Sequence, residues 1–186
     1  EYKRQLMNAL HILMIYDDLL ESPEHGRCKR TCIFAGKAAA GYVRAKEIIR
    51  LLYLIARKVN NDPMTSEFLR VVFVDNYNVS KAELVIPAAD LSEQISTSGM
   101  EASGTGNMKL AMNGALTIGT NDGANVEMKQ AVSEIWWPFS IGLSAEEVQS
   151  LHASRSYNAW DIVATNAKIR RAVDHLRDGS LAMNES

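Results

Sequence analysis

In TCIFAGKAAAGYVRAKEIIRLLYLIARKV, residues 31–59, an apolar run meets a glycine, passes through small residues and then turns helical. Residues 31–35 are short, apolar and rich in side chains that suit a pleated surface, so they read as a buried strand. From Tyr42 to Val59 the apolar positions Val43, Ile48, Leu51, Leu52, Ile55 and Val59 recur mostly three and four apart, one face of an α-helix. Asn60, Asn61, Asp62 and Pro63 stop it. Residues 69–74, LRVVFV, apolar except for Arg70, read as a second buried strand. Strand, small-residue turn and helix are half of a βαβ unit, and the strand-then-helix shape recurs over residues 66–86.

Working outward, Leu6, Leu10, Leu13, Met14 and Leu20 give residues 1–20 helical spacing with one slip, ended by Ser22 and Pro23. Residues 22–30 are a charged loop. Downstream, Ser80–Val85 begins a helix that Pro87 stops, and residues 90–98 are polar and short. A Gly-rich loop, 99–106, leads into a helix ending near Asn113. Residues 115–119 read as a third strand, closed by Asn121, Asp122 and Gly123. Residues 126–132 suit a short helix and the apolar, aromatic stretch 135–139 a last strand. Ser144 with Glu147 three residues on is a capping box, and 156–178 is a mixed helical tail. Alternating strands and helices predict an α/β chain with a Rossmann-like doubly wound parallel sheet.

Composition narrows the partners. With 20 basic and 22 acidic residues the net charge is −2, which gives no long-range attraction to nucleic acid or to an anionic membrane. The basic clusters 27–30 and 168–171 have acids nearby and read as solvated faces. No apolar run approaches the ~20 residues of a membrane span. The chain opens without a starting Met or an apolar leader and reads as beginning mid-protein or after processing. Cys28 and Cys32 are too few for a disulfide scaffold, and with His25 and His11 they make a poor zinc set. Reduced thiols and no metal are expected.

The segment that carries chemistry is EASGTGNMK, residues 101–109. Gly104 and Gly106 allow backbone shapes that other residues resist, and Ser103 and Thr105 add hydroxyls. A helix starting near Thr105 turns its free N–H groups and dipole toward the loop, which suits a phosphate. Lys109, about one turn in, stands as a counter-charge or as a reactive amine. The spacing matches neither the Gly-x-x-x-x-Gly-Lys-Ser/Thr loop nor the dinucleotide Gly-x-Gly-x-x-Gly. On physical grounds alone, a phosphate site and a plain Gly-rich turn with a solvated lysine both remain open.

EASGTGNMKLAMNGALTIGTNDGANVEM, residues 101–128, resembles the pyridoxal-phosphate segment of the α-glucan (glycogen, starch and maltodextrin) phosphorylases. VIPAADLSEQIS (85–96), GKAAAGY (36–42) and EYKRQL (1–6) resemble the same family in the same order. The likeness runs through roughly residues 1–130 and fades beyond. It implies part of the C-terminal, cofactor-binding lobe of a GT-B glycosyltransferase fold, with the N-terminal domain outside this chain. It also implies a cytoplasmic enzyme, commonly dimeric and in some members regulated. That enzyme splits α-1,4-glucans with inorganic phosphate at the non-reducing end, with retention, giving α-glucose 1-phosphate. Pyridoxal 5′-phosphate would be held covalently by Lys109, with its own phosphate exchanging a proton with the substrate phosphate.

The resemblance assigns roles residue by residue. Lys3 pairs with the cofactor phosphate. Thr105 and Gly106 donate backbone N–H groups to it, and Tyr77 and Gln94 line the cofactor ring. Tyr2, Glu101, Ser103 and the Gly104 N–H bind glucosyl hydroxyls. Alone, each would read as an ordinary packing ring, loop acid or surface polar group. Asn78 stands where many animal members carry Arg, which removes a cationic phosphate contact there. The Lys-Arg pair that the family carries just before the segment matching Glu1 is absent, so the isolated chain is expected to be nearly inactive. The rival readings are a non-catalytic sugar- or cofactor-binding lobe and another pyridoxal-phosphate enzyme such as an aminotransferase. For the latter, the segment offers no carboxylate to hold the pyridine nitrogen protonated.

Overall fold

The computed structural model describes residues 3–22, 28–100, 104–132, 137 and 139–182. In chain order the elements are α1 (Gln5–Glu21), β1 (Arg30–Ala35), α2 (Val43–Asn61), β2 (Leu69–Val74), α3 (Val79–Val85), β3 (Leu91–Gln94) and α4 (Gly106–Met112). Next come β4 (Leu116–Thr120), α5 (Ala124–Val132), β5 (Ser140–Ile141), α6 (Ala145–Ser154), α7 (Ala159–Thr165) and α8 (Ala167–Asp174). Each of the two sheets is parallel throughout, as the α/β reading expects. The chain divides into two compact units. No described helix is long and apolar enough to cross a membrane.

The first unit holds the described residues within Gln5–Tyr77 and Asn158–Ser186. β1 and β2 pair in parallel from Arg30↔Leu69 to Ala35↔Val74. α2 packs on β2, and α1 lies against α2 and α8. Of the apolar positions read from the sequence, Leu13, Ile48, Leu52, Ile55, Val59, Leu69 and Val71 are buried, joined by Leu19, whereas Leu6 and Val43, at the first turns of α1 and α2, are exposed. α2 ends at Asp62, whose carboxylate accepts from Tyr16 Oη at 2.7 Å. Burial first, and then this bond, push the Tyr16 hydroxyl well above its usual pKa. The 168–171 run is not simply solvated. Lys168 Nζ pairs with Asp18 Oδ2 at 2.7 Å and Arg171 with Glu21, tying α8 to α1. His175 adds a third tie, with Nε2 2.7 Å from Asp17 Oδ1 and Nδ1 2.8 Å from Ser180 Oγ.

The second unit holds the described residues of Tyr2–Arg4 and Asn78–Tyr157. Its strands pair in the order β3-β4-β5, all parallel. The polar stretch 90–98 carries no strand signal, yet Leu91–Gln94 forms β3. It turns Ser92 inward, where that side chain is buried, and leaves Leu91 and Glu93 exposed. A last strand expected at 135–139 is found as the pair Ser140–Ile141, while residues 135, 136 and 138 lie outside the described residues. The tail resolves into two helices rather than one stretch. The capping box on α6 is complete: Ser144 Oγ accepts from Glu147 N at 3.2 Å, and Glu147 Oε2 accepts from Ser144 N at 2.7 Å.

Candidate functional site

α4 is the crossover between the parallel neighbours β3 and β4, so it starts at the carboxyl end of β3. In open α/β sheets that edge is where ligands are received. Gly106 opens α4, and Thr105 caps it without a side-chain cap bond, so the leading N–H groups are not taken up by their own cap residue. A Cβ built on Gly106 would meet nothing within 4 Å. Lys109 is exposed, and its N–H bonds to the Thr105 carbonyl at 3.1 Å, one turn back. Helical side chains lean toward the N-terminus, so the Lys109 stem runs back over the turn that begins at Thr105.

α4 is held by a buried amide network. Asn107 Nδ2 donates to Asn125 Oδ1 at 2.7 Å, and both residues are 5% exposed. Asn125 Nδ2 in turn reaches Thr120 O at 3.0 Å and Gln94 O at 3.3 Å, at the ends of β4 and β3. Gly119 makes room for it: a Cβ there would stand 2.4 Å from Asn125 Nδ2. Thr120 Oγ1 donates to Ser96 O at 2.8 Å. Buried polar groups need partners, and this set supplies them mutually while fixing the helix that bears Lys109.

The same edge receives the start of the chain. Arg4 Nε donates to Ile95 O at 2.6 Å and Arg4 Nη2 to Ser96 O at 3.3 Å, just past β3. Its neighbour Lys3 is exposed. Gln94, half-buried at the end of β3, turns its Nε2 onto Ser92 Oγ at 2.9 Å. Lys3, Gln94, Gly104, Thr105, Gly106 and Lys109 therefore belong to one unit, whereas Tyr77, half-buried, ends the other. Tyr2, Glu101 and Ser103 lie outside the described residues. Asn78 has a structural use, since its side chain accepts from Lys81 N at 3.1 Å and caps α3. Among the described residues no His, Cys, Asp or Glu group could hold a metal, and Cys28 and Cys32 are unbridged thiols.

This donor set fits a ligand with an aldehyde and a phosphate. It offers an exposed primary amine, a helix start that Thr105 leaves without a side-chain cap bond, where Met108 N donates to Asn107 Oδ1 at 2.9 Å, an open glycine, and a second lysine next to Arg4. The whole chain, residues 1–186, matches the family model described as "Carbohydrate phosphorylase". The chain belongs to the carbohydrate phosphorylase family. It is 51% identical over 185 residues to a "Glycogen phosphorylase" from Chlamydia pneumoniae, covering 100% of this chain and 22% of that relative. Against the muscle form from Ovis aries it is 51% identical over 179 residues, covering 96% of this chain and 21% of the relative. The human muscle form gives the same identity and coverage. The chain thus spans about a fifth of the length of the curated relatives it matches. Its α/β architecture with parallel sheets agrees with the Rossmann-like lobes of a GT-B phosphorylase. The residues that hold this phosphorylase segment together, Arg4, Asn107, Gly119 and Asn125, escape a reading of the sequence. A glycine inside a strand does signal close approach, but an Asn inside a helix gives no signal of its own.

Proposed function

We propose that this chain is part of the C-terminal, cofactor-binding lobe of an α-glucan phosphorylase and that Lys109 carries pyridoxal 5′-phosphate there. The observation that carries the reading is the exposed Lys109 one turn inside α4, a helix that Gly106 opens, that Thr105 leaves without a side-chain cap bond, and that connects β3 to its parallel neighbour β4. When bound, the cofactor would supply a phosphate that exchanges a proton with the substrate phosphate, the anion against which a glucosyl cation would develop. Lys109 anchors the ligand, and the Thr105 and Gly106 N–H groups bind its phosphate. Lys3 balances that charge with a compact, movable ammonium, and Tyr77 and Gln94 line the ring. On the sugar side, Glu101 accepts from two hydroxyls at once, and Tyr2, Ser103 and the Gly104 N–H take the others.

The whole protein would convert an α-1,4-glucan and inorganic phosphate into α-glucose 1-phosphate and a glucan one unit shorter, retaining the anomeric configuration. It would do so as a cytoplasmic homodimer, with an N-terminal lobe closing the cleft in a GT-B arrangement. The test is to expose this chain to pyridoxal phosphate, reduce with borohydride and map the product by mass spectrometry. A single pyridoxyl group on Lys109, absent in Lys109→Ala, is expected; equal scatter over exposed lysines in both proteins refutes the site. Release of glucose 1-phosphate by the chain alone is expected to fall at least about a thousandfold below that of a two-lobed phosphorylase, since proximity is lost. Turnover at the full rate would refute the need for a second lobe.

A further inference from the structure

Arg4 has φ 55, a left-handed conformation that a non-glycine residue adopts only when its surroundings impose it. What imposes it is visible. The planar guanidinium spans two consecutive carbonyls, Ile95 O at 2.6 Å and Ser96 O at 3.3 Å, that lie 91 and 92 residues away in sequence. These are charge-assisted bonds, stronger than neutral ones, and a single ammonium could not fork across both acceptors in that way. Ser96 O is shared with Thr120 Oγ1, and Thr120 O with Asn125 Nδ2, whose own carbonyl oxygen receives the Asn107 amide two residues before Lys109. One hydrogen-bonded path therefore runs from the backbone beside Lys3, across the carboxyl ends of β3 and β4, to the helix bearing Lys109. From Gln5 to Tyr77 the chain belongs to the other unit, so Arg4 is the residue at which the segment bearing Lys3 leaves this one.

We propose that Arg4 is a positioning residue: by clamping the loop after β3 it holds Lys3 where its ammonium meets the phosphate of a ligand captured by Lys109. This rests on the cofactor reading above and adds to it a named device that sets the second cation. It is strain accepted at one residue to place its neighbour.

The experiment titrates the 186-residue chain in parallel with pyridoxal phosphate and with pyridoxal, which has the aldehyde and no phosphate. Borohydride then traps the product, and mass spectrometry quantifies pyridoxyl on Lys109 against the exposed lysines Lys37 and Lys46. In the unsubstituted chain the phosphate ester half-saturates Lys109 at the lower concentration. Arg4→Gln is expected to weaken that preference by about tenfold, the size of one charged contact of ordinary strength. Lys3→Ala is expected to weaken it equally, and the double variant no further, while labelling by pyridoxal is unchanged in all three. Arg4→Lys, which keeps the charge and loses the fork, is expected not to rescue; should Arg4→Gln not fold by circular dichroism, Arg4→Lys carries the same readings. Equal loss of both aldehydes in the Arg4 variant would mean a merely structural role and overturn the proposal. So would additive losses with Lys3→Ala, or an indifferent Arg4 variant alongside a labelled Lys109. An unlabelled Lys109 in the unsubstituted chain overturns the cofactor reading itself, and this inference with it.

Discussion

At Gly119 the backbone comes so close to its surroundings that a Cβ would stand 2.4 Å from Asn125 Nδ2, 3.1 Å from Asn125 Cγ and 3.2 Å from Gln94 O. The first two belong to a side chain that cannot swing away, because its amide is bonded to Asn107, Thr120 and Gln94. The third is backbone. Gly119→Ala must therefore either push β4 from β3 or break the amide network and strand buried polar groups. Overpacking of this kind costs about 1–3 kcal/mol, and a stranded buried amide a similar amount. The expected result is a lower urea midpoint for Gly119→Ala, whereas Gly41→Ala, with nothing within 4 Å and an ordinary φ, stays within about 0.5 kcal/mol. Equal midpoints for the two variants would mean that the network yields freely and does not fix α4.

Between elements, α1 is fastened to the end of α2 by Tyr16, which is 4% exposed and donates to Asp62 Oδ2 with Lys58 Nζ 5.5 Å from its ring centroid. The sign of the pH dependence follows from the raised Tyr16 pKa. The unfolded tyrosine loses its proton near the usual value of 10.0 while folded Tyr16 keeps its own. Above that pH the folded state binds more protons, and stability falls by up to about 1.4 kcal/mol per pH unit from this group. Tyr16→Phe is expected to be less stable than the unsubstituted chain below pH 9 by about 1 kcal/mol for the lost bond. The difference should shrink between pH 10 and 11.5, and parallel curves across that range would contradict the assignment. This level is also where the sequence is most and least legible. α2 and β2 can be read because burial of their apolar side chains is the very property that makes them elements. β1 is a strand where one was expected but not the buried one expected, since only Cys32 and Phe34 are half-buried against the core and Ile33 is exposed. β3 cannot: Leu91–Gln94 buries little more than a serine, and it is a strand because β4 offers it a ladder. The site divides likewise. The Lys109 motif is contiguous and so readable, whereas Arg4, Asn107 and Asn125 act through bonds of which the longest span 18, 31, 91 and 92 residues.

Over the whole molecule the two units are built on different chemistry. The first buries large apolar side chains, among them Leu13, Leu19, Ile55, Val59 and Leu69. Among its described residues the second buries Ile95, Ala115 and Ala124 together with Ser92, Ser98, Asn107, Thr117, Thr120 and Asn125, a described interior that is mostly small or polar. Apolar burial stabilises at roughly 25 cal/mol per Å², while an intramolecular hydrogen bond nets only about 1 kcal/mol against water. The second unit should therefore open at lower free energy than the first, as suits a unit that must receive a ligand. Amide hydrogen exchange is expected to be slower in α1, α2 and β2 than in α4 and β4. Pyridoxal phosphate, held through Lys109, Thr105, Gly106 and Lys3 of the second unit with Tyr77 of the first at its ring, should raise protection in α4 and β4 with concentration far more than in α2. Identical protection in both units, rising together with ligand, would instead mean that the polar interior opens only when the apolar core does.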